Sequence, residues 1–321
     1  MGERDTMGTA AATFVVPAVP PYHLEATVRV LQRRPTNRVD LWDGRRYLRA
    51  LLTADGVRLI VLDNRGTIEA PALHGRVFGG PVSSSTLDRI GTAVQRLVGP
   101  AVDLAPFYAV AAQDPRLQTA TVALRGLKPP RFATLFEAIA NVIPFQQVSI
   151  AAGVAVVGRL VERFGQRLEL GGRTYIAYPD PVQIATATVD DLHGLGLSRA
   201  KAHTLHALAG QVCSGALSAE RLEALPSPEA MAALMALPGI GPWSAGLIVL
   251  RGLRRLEIFP EGDVGAQRNL GRLLGREGPT GADDIRSTVA RMGPVKGFLY
   301  FYALGWRLLH DGLITPASPP P

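Results

Sequence analysis

Apolar and polar residues alternate through "RRYLRALL" and "VRLIVLDN", two runs rich in Leu, Val and Ile that flank "TADG". A period of two marks strands buried on one face, and an Asp-Gly pair between two such runs marks a hairpin. The stretch from about Tyr22 to Glu69 is therefore predicted to form a small antiparallel sheet. In "SSSTLDRIGTAVQRLVG" the period changes: Leu87, Ile90, Val94 and Leu97 share one helical face behind a serine cap, and Gly99 ends the run. This helix is predicted to cover the sheet. Beyond about residue 101 strand signals nearly vanish, and helical periods follow one another between short Gly and Pro breaks. The clearest are "FATLFEAIANVI", "QQVSIAAGVAVVGRLVERFG", "SRAKAHTLHALAGQV", "SPEAMAALMA" and "VKGFLYFYALGWRLL". In "SPEA", Ser227 is expected to cap, with Pro228 at the first helical position and Glu229 at the positive end of the dipole.

The pattern gives an α+β fold. A β-rich domain with its covering helix spans 15–100, and an all-α domain spans 101–314. Residues 1–14 and 315–321 are expected to be disordered tails, because neither carries a periodic apolar pattern. The first of them mixes acidic with basic residues and does not read as a signal peptide. One long uncharged run, between Glu229 and Arg251, has about the length of a membrane span. Pro238, Gly239, Gly241 and Pro242 interrupt its centre, where lipid cannot satisfy the freed backbone groups, so no membrane association is expected.

Charge narrows the partner. The chain has 34 basic and 27 acidic residues, a formal net charge of +7, which favours an anionic partner without specifying one. Cys213 is the only cysteine, which excludes an internal disulfide, a Cys-based zinc site and a four-Cys iron–sulfur cluster and suits a reducing cytoplasm. His203 and His206 are i, i+3 neighbours without a third ligand and read as a solvated helix face.

The distinctive stretch is "LPGIGPWSAGLIVLRG", residues 237 to 252. A helix, a turn with two glycines and a second helix is the spacing of a helix-hairpin-helix. Gly239 and Gly241 permit positive φ and close backbone approach, so the amides of the turn and of the next helix start can face a phosphate. Leu237, Pro238, Gly239, Ile240, Gly241 and Ser244 are the candidate DNA-binding hairpin. The other reading is an αα-turn that tightens a helical core. A weaker echo, "LHGLGLSRA" at 192–200, shares L-x-G-apolar-G-x-x-x-A with "LPGIGPWSA" and reads either as a repeat or as convergent turn chemistry.

Together with "ANVIPFQQVSIAAG" (140–153), "LGLSRAKAHTLHALA" (195–209), "FPEGDVGAQR" (259–268) and "RGLKPPRFATLFEAI" at the helical domain's entry, this motif resembles the helix-hairpin-helix DNA glycosylases, in particular the DNA-3-methyladenine glycosylase II branch. The N-terminal "PYHLEATVRVL" region is similar to that branch's sheet domain. The resemblance implies base excision: flipping of alkylated purines from damaged double-stranded DNA and hydrolysis of the N-glycosidic bond by a monomer; the alternatives are a non-catalytic helix-hairpin-helix DNA-binding protein and a glycosylase for oxidised or deaminated bases. It makes Asp263 the catalytic carboxylate, which alone would read as a surface or capping acid. It places Trp243 against the flipped base, against a reading as a core Trp. Gln146 and Gln147 match the segment that fills the gap left by the base, against a solvated helix start. Leu247, Val264 and Val295 stand where the branch places aromatics, so the base pocket is expected to be less aromatic. Trp243 occupies the position at which bifunctional members carry lysine, so no lyase activity is expected. No organic cofactor is implied, although a monovalent cation on the hairpin carbonyls would match the family. Arg251, Arg254 and Arg255 read either as phosphate contacts or as a solvated face.

Overall fold

The computed structural model describes residues 7–276 and 282–317. In chain order the elements are β1 (Ala12–Val16), α1 (Leu24–Gln32), β2 (Leu41–Trp42), β3 (Tyr47–Thr53), β4 (Gly56–Asn64), β5 (Leu73–Phe78), α2 (Ser84–Val98), α3 (Ala105–Ala111), α4 (Pro115–Ala123), α5 (Leu135–Val142), α6 (Ile150–Phe164), β6 (Arg167–Leu170), β7 (Arg173–Ile176), α7 (Pro181–Thr186), α8 (Val189–His193), α9 (Arg199–Cys213), α10 (Ala219–Ala224), α11 (Ser227–Met235), α12 (Pro242–Gly252), α13 (Val264–Leu273), α14 (Ala282–Arg291) and α15 (Phe298–His310).

The five N-terminal strands make one antiparallel sheet in the order β1-β5-β4-β3-β2. As the Asp-Gly signal required, β3 and β4 form a hairpin that pairs Thr53 with Gly56. Two expectations fail here. Leu24–Gln32 is a helix inside the stretch read as strand, because His23 caps it through the Ala26 amide and Leu24, Val28 and Leu31 fall on one buried face. Ala12, Thr13 and Phe14, expected in a disordered tail, instead begin the edge strand β1, whose Ala12–Val16 pair with Leu73–Val77, and Met7 is buried. Residues 1–6 and 318–321 of the expected tails lie outside the described residues, while Ala317 donates its amide to the Ala123 carbonyl and is buried.

Helix α2 behaves as its pattern demands. Ser83 accepts the Thr86 amide, Gly99 closes the helix at φ 54°, and Ile90, Val94 and Leu97 pack with α1 against one face of the sheet. The other face buries Leu48, Ala50, Leu59 and Val61 against Tyr175 and Ala177 of a second hairpin, β6–β7. That hairpin was not expected beyond residue 101; its strands are four residues each, too short for alternation to show.

A single large core joins α3 to α15 and takes in Ala26 and Val30 of α1, so α1 is shared by sheet and helices. At this junction the buried Arg49 of β3 spans Asp40 and Glu137 of α5, each at 2.6 Å, and the Tyr47 hydroxyl donates to Asp40 at 2.7 Å. The guanidinium satisfies two carboxylates that would otherwise be buried and unpaired, which fixes the sheet's register on the helical body. No helix among the described residues is long and apolar enough to cross a membrane.

Candidate nucleic-acid interface and active site

Helix α11 delivers the chain into the hairpin. It begins at Ser227 with Pro226 before it, and Ser227 does not cap as expected: its hydroxyl donates to Glu257 at 2.5 Å. The turn is closed by bonds from the Leu237 amide to the Leu234 carbonyl (3.0 Å) and from the Ile240 amide to the Leu237 carbonyl (3.2 Å). The two glycines differ in role. Gly239 takes φ 80° and lies so close to Thr204 of α9 that a Cβ would sit 2.3 Å from its Oγ1. Gly241 does not use positive φ; it is extended at φ −92°, and a Cβ there would meet nothing within 4 Å. The first glycine fits the fold, and the second leaves open surface. In the echo segment the left-handed residue is Gly196 (φ 91°), the counterpart of Gly241 rather than of Gly239, so the two turns differ in backbone conformation.

Helix α12 starts at Pro242 with no side-chain cap. Pro242 has no amide hydrogen and the Ala245 amide bonds to the Gly241 carbonyl at 2.9 Å, so the Trp243 and Ser244 amides are those without a partner among the described residues, at the positive end of the dipole. Ser244 does not turn its hydroxyl to solvent. It is 2% exposed, and its Oγ accepts from Gln146 Nε2 at 2.9 Å while the same Nε2 donates to the Gly239 carbonyl at 2.9 Å. Gln146 thus straps the loop before α6 to the hairpin and is not a free plug. Gln147, exposed with φ 52°, remains available for that role, and the predicted helix start lies three residues later, behind the Ser149 cap.

Beyond α12 the left-handed Arg254 (φ 57°) reverses the chain, and the Asp263 amide bonds to the Pro260 carbonyl at 2.8 Å. Asp263 is half-buried and caps α13, its Oδ1 accepting the Ala266 amide at 2.8 Å. Its Oδ2 has no hydrogen-bond partner among the described residues. The capping reading of this residue holds, and the cap uses only one of its two carboxylate oxygens.

One cleft of about 1610 Å³ gathers these groups. Its lining includes Asp263, Val264, Trp243, Leu247, Ser244, Gln146, Gln147 and the turn from Leu237 to Gly241. Val295 is not part of it; it lies in a short 3-10 turn, Gly293–Val295, and packs on the core. Val264 is 66% exposed and stands at the mouth, not in an enclosed pocket. The expected loss of aromatics is partly made good by residues the sequence did not single out, Phe145 and Tyr300. Tyr300 and Leu304 are one turn apart on α15, whose apolar pattern read only as core.

The arginine run after the hairpin is neither a phosphate site nor a solvated face. Arg251 is fully buried, stacked 4.6 Å from the centre of the Phe132 ring, and burial pushes its pKa down to about 10. Arg254 donates to the Pro129 and Arg96 carbonyls, and burial, aided by Arg131, lowers it to about 9. Arg255 donates to the Glu223 and Leu225 carbonyls. Arg251 and Arg254 keep their charge at neutral pH, and the bonds of Arg254 and Arg255 tie the segment after α12 to its surroundings. His203 is exposed and His206 half-buried on α9. Among the described residues no three His, Cys, Asp or Glu side chains converge as metal ligands.

Residues 140–293 match the family described as HhH-GPD superfamily base excision DNA repair protein. The DNA-3-methyladenine glycosylase of Bacillus subtilis strain 168 is 30% identical over 65% of this chain and 68% of its own length. The DNA-3-methyladenine glycosylase 2 of Escherichia coli K12 is 26% identical over 75% of this chain and 80% of its own. Among solved structures, the 3-methyladenine DNA-glycosylase from Archaeoglobus fulgidus superposes with a TM-score of 0.75 at 22% identity, covering 94% of this chain and all of that one. That last likeness extends the shared fold over both the sheet and the helices.

Proposed function

Because the chain belongs to the HhH-GPD superfamily of base excision DNA repair proteins, we propose that it is a cytoplasmic, monomeric DNA glycosylase that removes alkylated purines from duplex DNA. The observation that carries this reading is the opening of Asp263, with one free carboxylate oxygen, into the same cleft as Trp243 and the uncapped start of α12. The hairpin amides take a backbone phosphate without reading sequence. The nucleotide turns out of the stack, and its base lies against Trp243, where an electron-poor alkylated ring gains roughly 1–3 kcal/mol of stacking. Gln147 enters the gap.

An N3- or N7-alkylated purine carries positive charge. When the bond to C1′ breaks, the electron pair goes to the base, which leaves neutral, and the sugar becomes oxocarbenium-like. Asp263 stabilises that positive charge, and water adds to C1′ with loss of its proton to the carboxylate or to solvent. The product is an abasic site. Strand cleavage requires an amine able to form a Schiff base, and the one lysine in the cleft, Lys201, is held by the Gln146 and Pro144 carbonyls at 2.5 and 3.4 Å. The Ile240 carbonyl accepts no hydrogen bond among the described residues, and backbone oxygens of this kind suit a monovalent cation. Ile240 and its neighbours in the turn would hold it, and it would add positive charge beside the phosphate.

Incubation of methylated, end-labelled duplex with the full chain tests the reading. The strand should stay intact until alkali is added and then break at purines. Breakage before alkali would refute the monofunctional assignment, and no breakage after it would refute excision.

A further inference from the structure

Helix α13 leads the chain out of the cleft with charge of one sign. "VGAQRNLGRLLGR", residues 264–276, holds three arginines and no acid, and the arginines recur every fourth residue. That spacing puts Arg268, Arg272 and Arg276 on one side of the helix, and all three are exposed. Exposed arginines on other helices hold carboxylates: Arg163 of α6 pairs with Asp191 at 3.8 Å, and Arg199 of α9 with Asp190 at 2.8 Å. Arg276 does the same with Asp284 at 3.1 Å. Arg268 and Arg272 have neither an ion pair nor a side-chain hydrogen bond among the described residues. Their surroundings add positive charge instead of cancelling it. Arg33, Arg34 and Arg307 line the neighbouring cleft, and α13 packs along α15, which carries Arg307. Burial lowers the pKa of Arg307; Asp311 opposes the shift, while Arg34, Arg272 and Arg33 add to it. Guanidinium groups gathered on a surface without acids favour a polyanion that runs over them.

Position along the helix says which part of that polyanion they meet. Asp263 caps α13, and the cleft lining takes in Asp263, Arg268 and Asn269 but not Arg272, which lies one turn farther out. At 1.5 Å of rise per residue, Arg268 and Arg272 stand about 7 and about 13 Å along the axis from Asp263. A duplex strand advances about 3.4 Å per nucleotide, so these lengths correspond to about two and about four nucleotides. We propose that Arg268 and Arg272 form a second grip on the damaged strand, on phosphates about two and about four nucleotides from the flipped residue and on the other side of it from the phosphate held by the hairpin. This rests on the glycosylase reading. A strand held on one side only can swivel on the other; held on both, its rotation is confined to the nucleotide that leaves the stack. Each guanidinium can fork onto phosphate oxygens without giving up a carboxylate. The grip acts on binding and positioning, while the chemistry stays with Asp263.

The test uses the full chain and a labelled duplex with a tetrahydrofuran abasic analogue, which cannot be excised. The double variant Arg268→Gln/Arg272→Gln should bind about tenfold to a hundredfold more weakly at low salt, and its slope of log affinity against log salt should be shallower by about two. Arg163→Gln, which loses the same charge at the far end of α6, should keep the wild-type slope. Methylphosphonates placed two and four nucleotides from the analogue, on one flank of the damaged strand, should weaken wild-type binding and leave the double variant's binding unmoved. In single-turnover release of 7-methylguanine, Arg272→Gln should keep the wild-type rate at saturating protein and need more protein to reach half of it. An unchanged salt slope, or equal sensitivity of both proteins to the methylphosphonates, would overturn the proposal. So would a fall in the saturated rate, which would place Arg272 in the chemistry or the fold. Tight binding of the duplex by a wild-type chain that releases no methylpurine would refute the glycosylase reading itself.

Discussion

Exchange of the two hairpin glycines for alanine, one at a time, separates what holds the turn from what touches DNA. At Gly239 an alanine would have to adopt φ 80°, at a cost of about 1–3 kcal/mol, and its Cβ would lie 2.3 Å from Thr204 Oγ1 and 2.8 Å from Cγ2. Moving Thr204, which is anchored on α9, adds about 1–3 kcal/mol of overpacking. The sum, about 2–6 kcal/mol, should lower the unfolding midpoint by roughly 3–9 °C. Thr204→Ala in the same chain should restore the overpacking part and leave the backbone part. Gly241→Ala carries neither cost, because its backbone is extended and the space is open. Its methyl group instead occupies the surface where a phosphate would approach the first amides of α12. Thermal unfolding and fluorescence polarisation with a labelled duplex read the two effects apart. Gly241→Ala should melt like the wild type and bind at least about tenfold more weakly, the loss of one close phosphate contact. A destabilised Gly241→Ala, or a Gly239→Ala that melts normally, would refute the division of roles. Unchanged affinity in Gly241→Ala would refute the phosphate site.

Trp243 is half-buried and packs on the helical core with part of its ring in the cleft; Trp243→Ala should reduce excision of alkylated purines by about tenfold to a hundredfold while duplex binding falls less, and equal losses in filter binding and single-turnover excision would make it a packing residue only. Asp114 caps α4 through the Arg116 amide and bonds to the Arg116 and Arg291 guanidinium groups at 2.7 and 3.0 Å, and the Arg116 contact holds its carboxyl well below the usual range. The unfolded chain takes up this proton at higher pH than the folded one, so its stabilisation is complete above about pH 4 and is lost as pH falls below that. Asp114→Asn should cost about 1–3 kcal/mol at pH 7 and flatten the acid side of the stability profile; an unchanged acid slope in urea titrations would contradict the linkage.

Local signals reached far into this fold and stopped where distant segments meet. The β3–β4 hairpin and α2 follow from an Asp-Gly turn and a capped 3.6-residue period, both complete within a few residues of sequence. Helix α1 was hidden because "HLEATVRVL" is rich in residues that strands also favour. The site divides in the same way. The hairpin, Trp243 and Asp263 lie within 27 residues and were visible as one motif. Arg33 and Tyr300 stand 267 positions apart, and only packing of α1 beside α15 brings them into hydrogen-bond distance. The arginines after the hairpin had a signal that went unused. A helix with no charge from Ser244 to Leu250 is enclosed on every side, so an arginine at its end is enclosed too, and every residue from Ser244 to Gly252 is buried. Ser244 and Gln146 were assigned to DNA separately, and the structure bonds them to each other.

The central claim is that Asp263 performs the chemistry in a cleft built by the hairpin. Release of free methylpurine from methylated duplex, followed chromatographically for the wild-type chain and Asp263→Asn, tests it directly. Asparagine keeps an oxygen to cap the Ala266 amide, so the fold should be preserved. Release should then fall by about a hundredfold or more through loss of the charge alone. Equal release by the two proteins would remove Asp263 from the mechanism.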